Sequence, residues 1–194
     1  MSDHQHLNGS EAAVRGDIAA FAQLAGVSCA TTGRACDWEQ SQSVFGVALP
    51  EDYRAFVDAF GAGTVGDRLT LLTPWPELGT GKPVLGGWRD VAAEIGSILR
   101  GHRSKWPAEF PYAFHPESGG LLNWASAVGG EQCFWLTEDP DPSAWPIVIW
   151  DKAEWYHYGP GTVALLIRAL SGDDPFLTEL IRFDPASAAW TPSD

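Results

Sequence analysis

The residues best able to do covalent or metal chemistry in this chain are three cysteines, Cys29, Cys36 and Cys133, and five histidines, His4, His6, His102, His115 and His157. A structural zinc site takes Cys or His pairs at short spacing, and a catalytic thiol takes a base held against it. Neither pattern is present, since the chain has no C-x-x-C pair and no H-E-x-x-H. His4 and His6 fall in a polar stretch that offers a metal no preorganised support. The other three histidines are scattered. A hydrolytic set built on His115, Asp151 and His157 is the one enzymatic alternative these positions leave open.

Two further motifs come close and fail. Gly79-Thr-Gly-Lys82 resembles the end of a phosphate-binding loop, which needs a glycine where Pro76 stands and Ser or Thr where Pro83 stands. Gly26-Val-Ser28-Cys-Ala30 lacks the last glycine of a nucleophile elbow, and no strand leads into it. The acidic turn Glu138-Asp139-Pro140-Asp141-Pro142 has too few oxygen ligands and no glycine bend for a calcium loop. No catalytic residue, cofactor or metal is expected, and the chain reads as a binding module.

That acidic turn is followed by Trp145, Trp150, Asp151, Glu154 and Trp155. Acids interleaved with aromatics can make a contact surface, with tryptophan as anchor and carboxylates as steering charges. Glu138, Asp139, Asp141, Trp145, Asp151, Glu154 and Trp155 are therefore the candidate partner-binding residues. The competing reading is a solvated hairpin tip beside a packed sheet. Charge favours contact with a basic protein: 12 Lys and Arg stand against 25 Asp and Glu, for a formal charge of −13. Such a surface repels phosphate backbones and anionic lipid, so neither nucleic acid nor membrane is an expected partner.

The elements that must position these residues follow from hydrophobic period. Residues 1–10 are polar and expected to fray. Val14, Ile18, Phe21 and Leu24 space a first helix, closed by Gly26. Asp37 with Gln40 has the form of a capping box. Leu49-Pro50-Glu51-Asp52 opens the best-marked helix, with Tyr53, Phe56, Val57 and Phe60 as its apolar stripe and Gly61 as its end. Arg68–Leu72 reads as a strand. Trp88, Val91, Ile95, Ile98 and Leu99 make a further helical stripe ending near Gly101. Aromatic runs at 112–115, 121–124, 132–136, 147–150 and 155–158, parted by glycine turns, predict an antiparallel meander. Helices from Pro160 and Asp174-Pro175 close the chain.

The fold class expected is α+β, one antiparallel meander sheet with N-terminal and C-terminal helices packed on it. Residues 1–36 read as a partly helical extension, 37–183 as the domain and 184–194 as a tail. Three unpaired-looking cysteines suit a reducing compartment. Met1–Ser10 has neither a basic start nor an apolar core, so no signal peptide is expected and the location predicted is cytoplasmic.

The run Leu49-Pro50-Glu51-Asp52-Tyr53-Arg54-Ala55-Phe56 into Phe60-Gly61-Ala62-Gly63, then Leu69–Pro74, Tyr112-Ala-Phe114, Leu121-Leu-Asn-Trp124 and Trp155–Tyr158 with its following helix, resembles the SUKH superfamily over roughly 37–183. That superfamily holds fungal cell-wall-assembly regulators and bacterial immunity proteins. The resemblance implies a non-enzymatic immunity protein that binds a co-produced toxin, often a nuclease, stoichiometrically and without cofactor. A regulatory scaffold of the same fold, binding an ordinary cellular partner, is the alternative it leaves open.

Overall fold

The computed structural model describes residues 3–28, 36–74, 85–181 and 189–193. Helix α1 runs Asp3–Ala25, so the polar start expected to fray is helical from Asp3. Helix α2, Trp38–Phe45, begins as its spacing predicts: the Asp37 carboxylate accepts the Gln40 N–H at 2.8 Å, and Gly46 ends it at φ 72°. Helix α3, Glu51–Phe60, takes Pro50 as its cap residue and so starts one residue later than a Pro50 at the first helical position would give. Tyr53, Phe56, Val57 and Phe60 are all buried, as the stripe requires.

Strands β1 (Gly63–Val65) and β2 (Leu69–Leu71) precede helix α4 (Leu85–Lys105). Strands β3 (Leu121–Ala127), β4 (Gln132–Leu136), β5 (Ile147–Trp150) and β6 (Trp155–Tyr158) follow. Helices α5 (Thr162–Ser171) and α6 (Pro175–Ile181) and strand β7 (Trp190–Pro192) complete the chain. The strands form one antiparallel sheet in the order β6-β5-β4-β3-β2-β1-β7, and the fold is α+β.

Three features differ from the sequence reading. Residues 112–115 form no strand and make one isolated bridge, Phe114 to Leu121. Pro111 and Pro116 remove ladder donors on both sides. Side chains replace the missing neighbour: Arg103 donates to the Tyr112 carbonyl at 2.9 Å and Arg100 to the His115 carbonyl at 3.2 Å. Helix α4 continues past Gly101 and turns Trp88, Ala92, Ile95 and Leu99 inward, leaving Val91 and Ile98 37% and 52% exposed. The Trp88 indole N–H, bonded to the Asn123 carbonyl at 2.8 Å, holds that rotation. Residues 184–194, expected as a tail, contain β7, and Trp190 is buried against Phe21, Phe56 and Phe60.

Strand alternation sorts the core onto two faces. Cys133, Trp135, Ile147 and Ile149 pack with Phe21 of α1, the α3 stripe and Leu166 of α5. Phe134 and Val148 point the other way, under Leu99 of α4 and the irregular segment with Phe110 and Phe114. A β-bulge between Asn123 and Ala125 lets the sequence neighbours Trp124 and Ala125 both join the first face, where Trp124 stacks on Trp135 at 5.7 Å between ring centres.

Candidate functional site

The acidic stretch that is continuous in sequence is divided in space by β5. The β4–β5 connection carries Glu138, Asp139 and Asp141, and the β5–β6 turn carries Asp151 and Glu154. In an antiparallel hairpin pair these connections lie at opposite ends of the shared strand. Four residues of β5 set roughly 10–13 Å between them.

At the first tip the carboxylates shape their own loop. Asp139 accepts the Asp141 N–H at 2.8 Å, and Asp141 accepts the Ser143 N–H at 2.9 Å, capping a single 3-10 turn at Pro142–Ala144. Glu138, Asp139 and Asp141 are exposed, and none of them makes an ion pair among the described residues. Trp145 is not an exposed anchor. It is 3% exposed, packs against Trp135, and its indole N–H donates to the Asp139 carbonyl at 2.7 Å, so it holds the tip to the core.

The second turn is organised by Asp151, whose carboxylate accepts the Ala153 and Glu154 N–H groups and the Tyr156 hydroxyl. Burial opposes its charge, but these hydrogen bonds outweigh burial and hold the carboxyl below its ordinary value. Glu154 is exposed. Trp155 is half-buried among Phe110, Tyr112, Phe134 and Trp150 and donates its indole N–H to the Glu109 carbonyl at 2.8 Å. It too is a packing residue. Charge alone does not separate an anchor from a core indole, and the alternation of β6 is the signal that places Trp155 under Phe110.

The groups with catalytic potential are each engaged elsewhere. His157 is bonded to the Tyr112 hydroxyl, and the His102 ring packs against Trp106 and Phe110. His115 lines a cleft with α2 and α4. Asp151 bonds no histidine, so the His115, Asp151 and His157 set has no shared geometry. Burial pushes the Cys36 and Cys133 thiols up to about 12, helped by Asp58 and Asp37 at Cys36 and by Glu131 at Cys133. Both therefore stay thiols, poor nucleophiles and poor ligands. Cys29 and the Gly79-Thr-Gly-Lys82 motif lie outside the described residues. Among the described residues no three His, Cys, Asp or Glu side chains group as metal ligands, and no helix is long and apolar enough to cross a membrane.

Comparison with protein-family models, with curated proteins and with solved structures finds no match.

Proposed function

We propose that the chain is a protein-binding module of the immunity type, which neutralises a cognate toxin by covering a basic surface stoichiometrically. The observation that carries this reading is the β4–β5 tip. It presents three carboxylates without ion pairs among the described residues, on a loop held by its own side-chain hydrogen bonds and by Trp145. Preorganised charge of this kind loses little side-chain freedom on binding and speeds encounter with an oppositely charged partner. The net charge of −13 supplies the long-range part of the attraction. The likeness of 37–183 to the SUKH pattern supports the same class, and a nuclease is a fitting target because its phosphate-holding surface is basic.

The contact surface on this reading is Glu138, Asp139 and Asp141, without Trp145 and Trp155. Asp151 and Glu154 belong to the other end of β5 and contribute field more than contact.

The test is association kinetics against the toxin domain encoded beside this gene, measured at about 50 and 300 mM salt, where screening lengths differ by more than twofold. Equimolar inhibition, with association that slows in high salt, is expected. Reversal of Asp139 and Asp141 to Lys should slow association about tenfold or more with dissociation little changed. No binding to the neighbouring domain would end the immunity reading. Binding indifferent to salt and to both reversals would move the contact to another face.

A further inference from the structure

Strand β2 pairs with β3 along Ala125–Ala127, and beyond it the Leu121–Asn123 edge is met, among the described residues, by the Phe114 bridge and the Trp88 indole N–H. That edge is one wall of a cleft of about 340 Å³, closed by the last turn of α2 and the first turns of α4. Its size lies in the range of sites that enclose small organic molecules. Val44, Phe45, Ala92 and Leu121 make its apolar side, and Arg89 and His115 its polar side. No aspartate or glutamate is among its described lining residues, in a chain that carries 25 acids and 12 bases. The cleft is thus an island of opposite sign on an acidic protein.

Two polar side chains border it. Among the described residues Arg89 is ion-paired with Asp90, at 3.3 Å, and both side chains are more than half exposed, a pairing that costs little to leave. His115 is held in place through its backbone, with its N–H on the Leu121 carbonyl at 3.0 Å and its carbonyl accepting from Arg100 at 3.2 Å. Gly96 permits the latter contact, since a Cβ there would stand 3.2 Å from Arg100 Nη1. Burial holds the imidazole below its ordinary value and the Arg100 guanidinium adds to this, while a hydrogen bond with the Phe45 backbone opposes both. The Phe45 backbone thus takes an imidazole N–H, and Arg89 supplies the positive charge among the described lining residues.

We propose that this cleft binds a small organic carboxylate, its single-ring or short-chain body against Val44, Phe45, Ala92 and Leu121 and its carboxylate on the Arg89 guanidinium. One guanidinium matches a single negative charge. A phosphate monoester fits worse, because its second negative charge finds no second cation among the described lining residues.

The test uses the full chain with 3-phenylpropionate and its uncharged amide, 3-phenylpropanamide, followed by NMR at the Ala92 and Ala93 methyls and the His115 ring. Saturable shifts at these three residues are expected with the acid, and the amide should bind at least about tenfold more weakly. Arg89→Gln should bring the acid to the amide's affinity and leave the amide unchanged. Ala93→Phe, which fills the mouth from an exposed position, should abolish binding of both. Arg89 and Ala93 are both exposed, and unchanged melting of the variants separates loss of binding from loss of fold. Equal binding of acid and amide would overturn the proposal. So would an Arg89→Gln variant that binds the acid normally, an Ala93→Phe variant that still binds, or no saturable shift up to about 10 mM, a concentration at which even a weak specific site fills.

Discussion

Asp52 and Val163 stand 111 residues apart in the chain, yet the Asp52 carboxylate accepts the Val163 N–H at 3.0 Å. Asp52 belongs to the first turn of α3 and Val163 to the first turn of α5, whose own cap residue is Gly161 and offers no side chain. One helix thus caps another, and the same carboxylate also accepts the Tyr53 N–H at 2.8 Å. Burial raises the Asp52 pKa above 3.8, against the pull of these backbone hydrogen bonds. A raised carboxyl pKa means that the folded state binds the proton more tightly than the unfolded one. Its contribution to stability is fully present below pH 3.8 and declines as pH rises through the folded value.

Asp52→Ala should lower stability by about 0.5–2 kcal/mol, the range for loss of a helix cap. By the sign just given, the gap between wild type and variant should be wider at pH 3 than at pH 7. Urea melts of both proteins across that range measure it, and a gap that widens toward neutral pH would show that the carboxylate is stabilised in its charged form.

Phe56 is fully buried, with Phe21, Phe60 and Trp190 rings 4.7 to 5.3 Å from its own. Phe56→Ala should cost about 3–5 kcal/mol. A loss under about 1 kcal/mol in denaturant melts would place the α3 stripe toward solvent.

Two glycines should respond oppositely to the same change. A Cβ on Gly63 would lie 2.4 Å from the Trp190 ring, so Gly63→Ala should destabilise by about 1–3 kcal/mol through the β1–β7 contact. Gly16, inside α1, has nothing within 4 Å, and Gly16→Ala should stabilise by about 0.5–1 kcal/mol. Calorimetric melting of the two variants reads both signs.

The tip residues divide by role. Asp139→Lys with Asp141→Lys should cost about 0.5–2 kcal/mol, because both exposed carboxylates cap backbone N–H groups of the loop. Trp145→Ala should cost about 3–5 kcal/mol, as expected for a buried indole and not for a surface anchor. Thermal melts of the double variant and of Trp145→Ala compare them directly.

Thiol labelling at pH 8 in the native state should leave Cys36 and Cys133 unmodified over a time in which the unfolded chain reacts fully, since both pKa values lie near 12. Peptide mass mapping locates any label, and rapid modification of Cys133 would mean that β4 opens readily.

What could be read from the residues was whatever had a period or a cap. Tyr53, Phe56, Val57 and Phe60 recur at helical spacing and are buried, and Asp37 with Gln40 forms the cap that its spacing implies. Strands β1 and β7 have three residues each, too short for alternation to register, and Gly63 reads more readily as a helix stop. On α4 the inward face includes Ala92, whose small side chain weighs little against Val91 and Ile98 in a hydrophobic count. The acidic site was half legible. Residue type located Glu138, Asp139 and Asp141, but sequence distance says nothing of the strand that separates them from Asp151 and Glu154. The His115 cleft draws on four separate stretches of chain, and none of them carries a motif.

The pairing of β1 with β7 has a consequence for how the protein is made. Trp190 follows Val65, its partner in the ladder, by 125 residues. A ribosome adding about 5–20 residues per second takes roughly 6–25 s to supply them. Throughout that interval β1 holds an unpaired row of amide and carbonyl groups, the template on which strands from other chains can add. Brevity is the protection: three residues, one of them glycine, offer a foreign strand little to grip before the native one arrives.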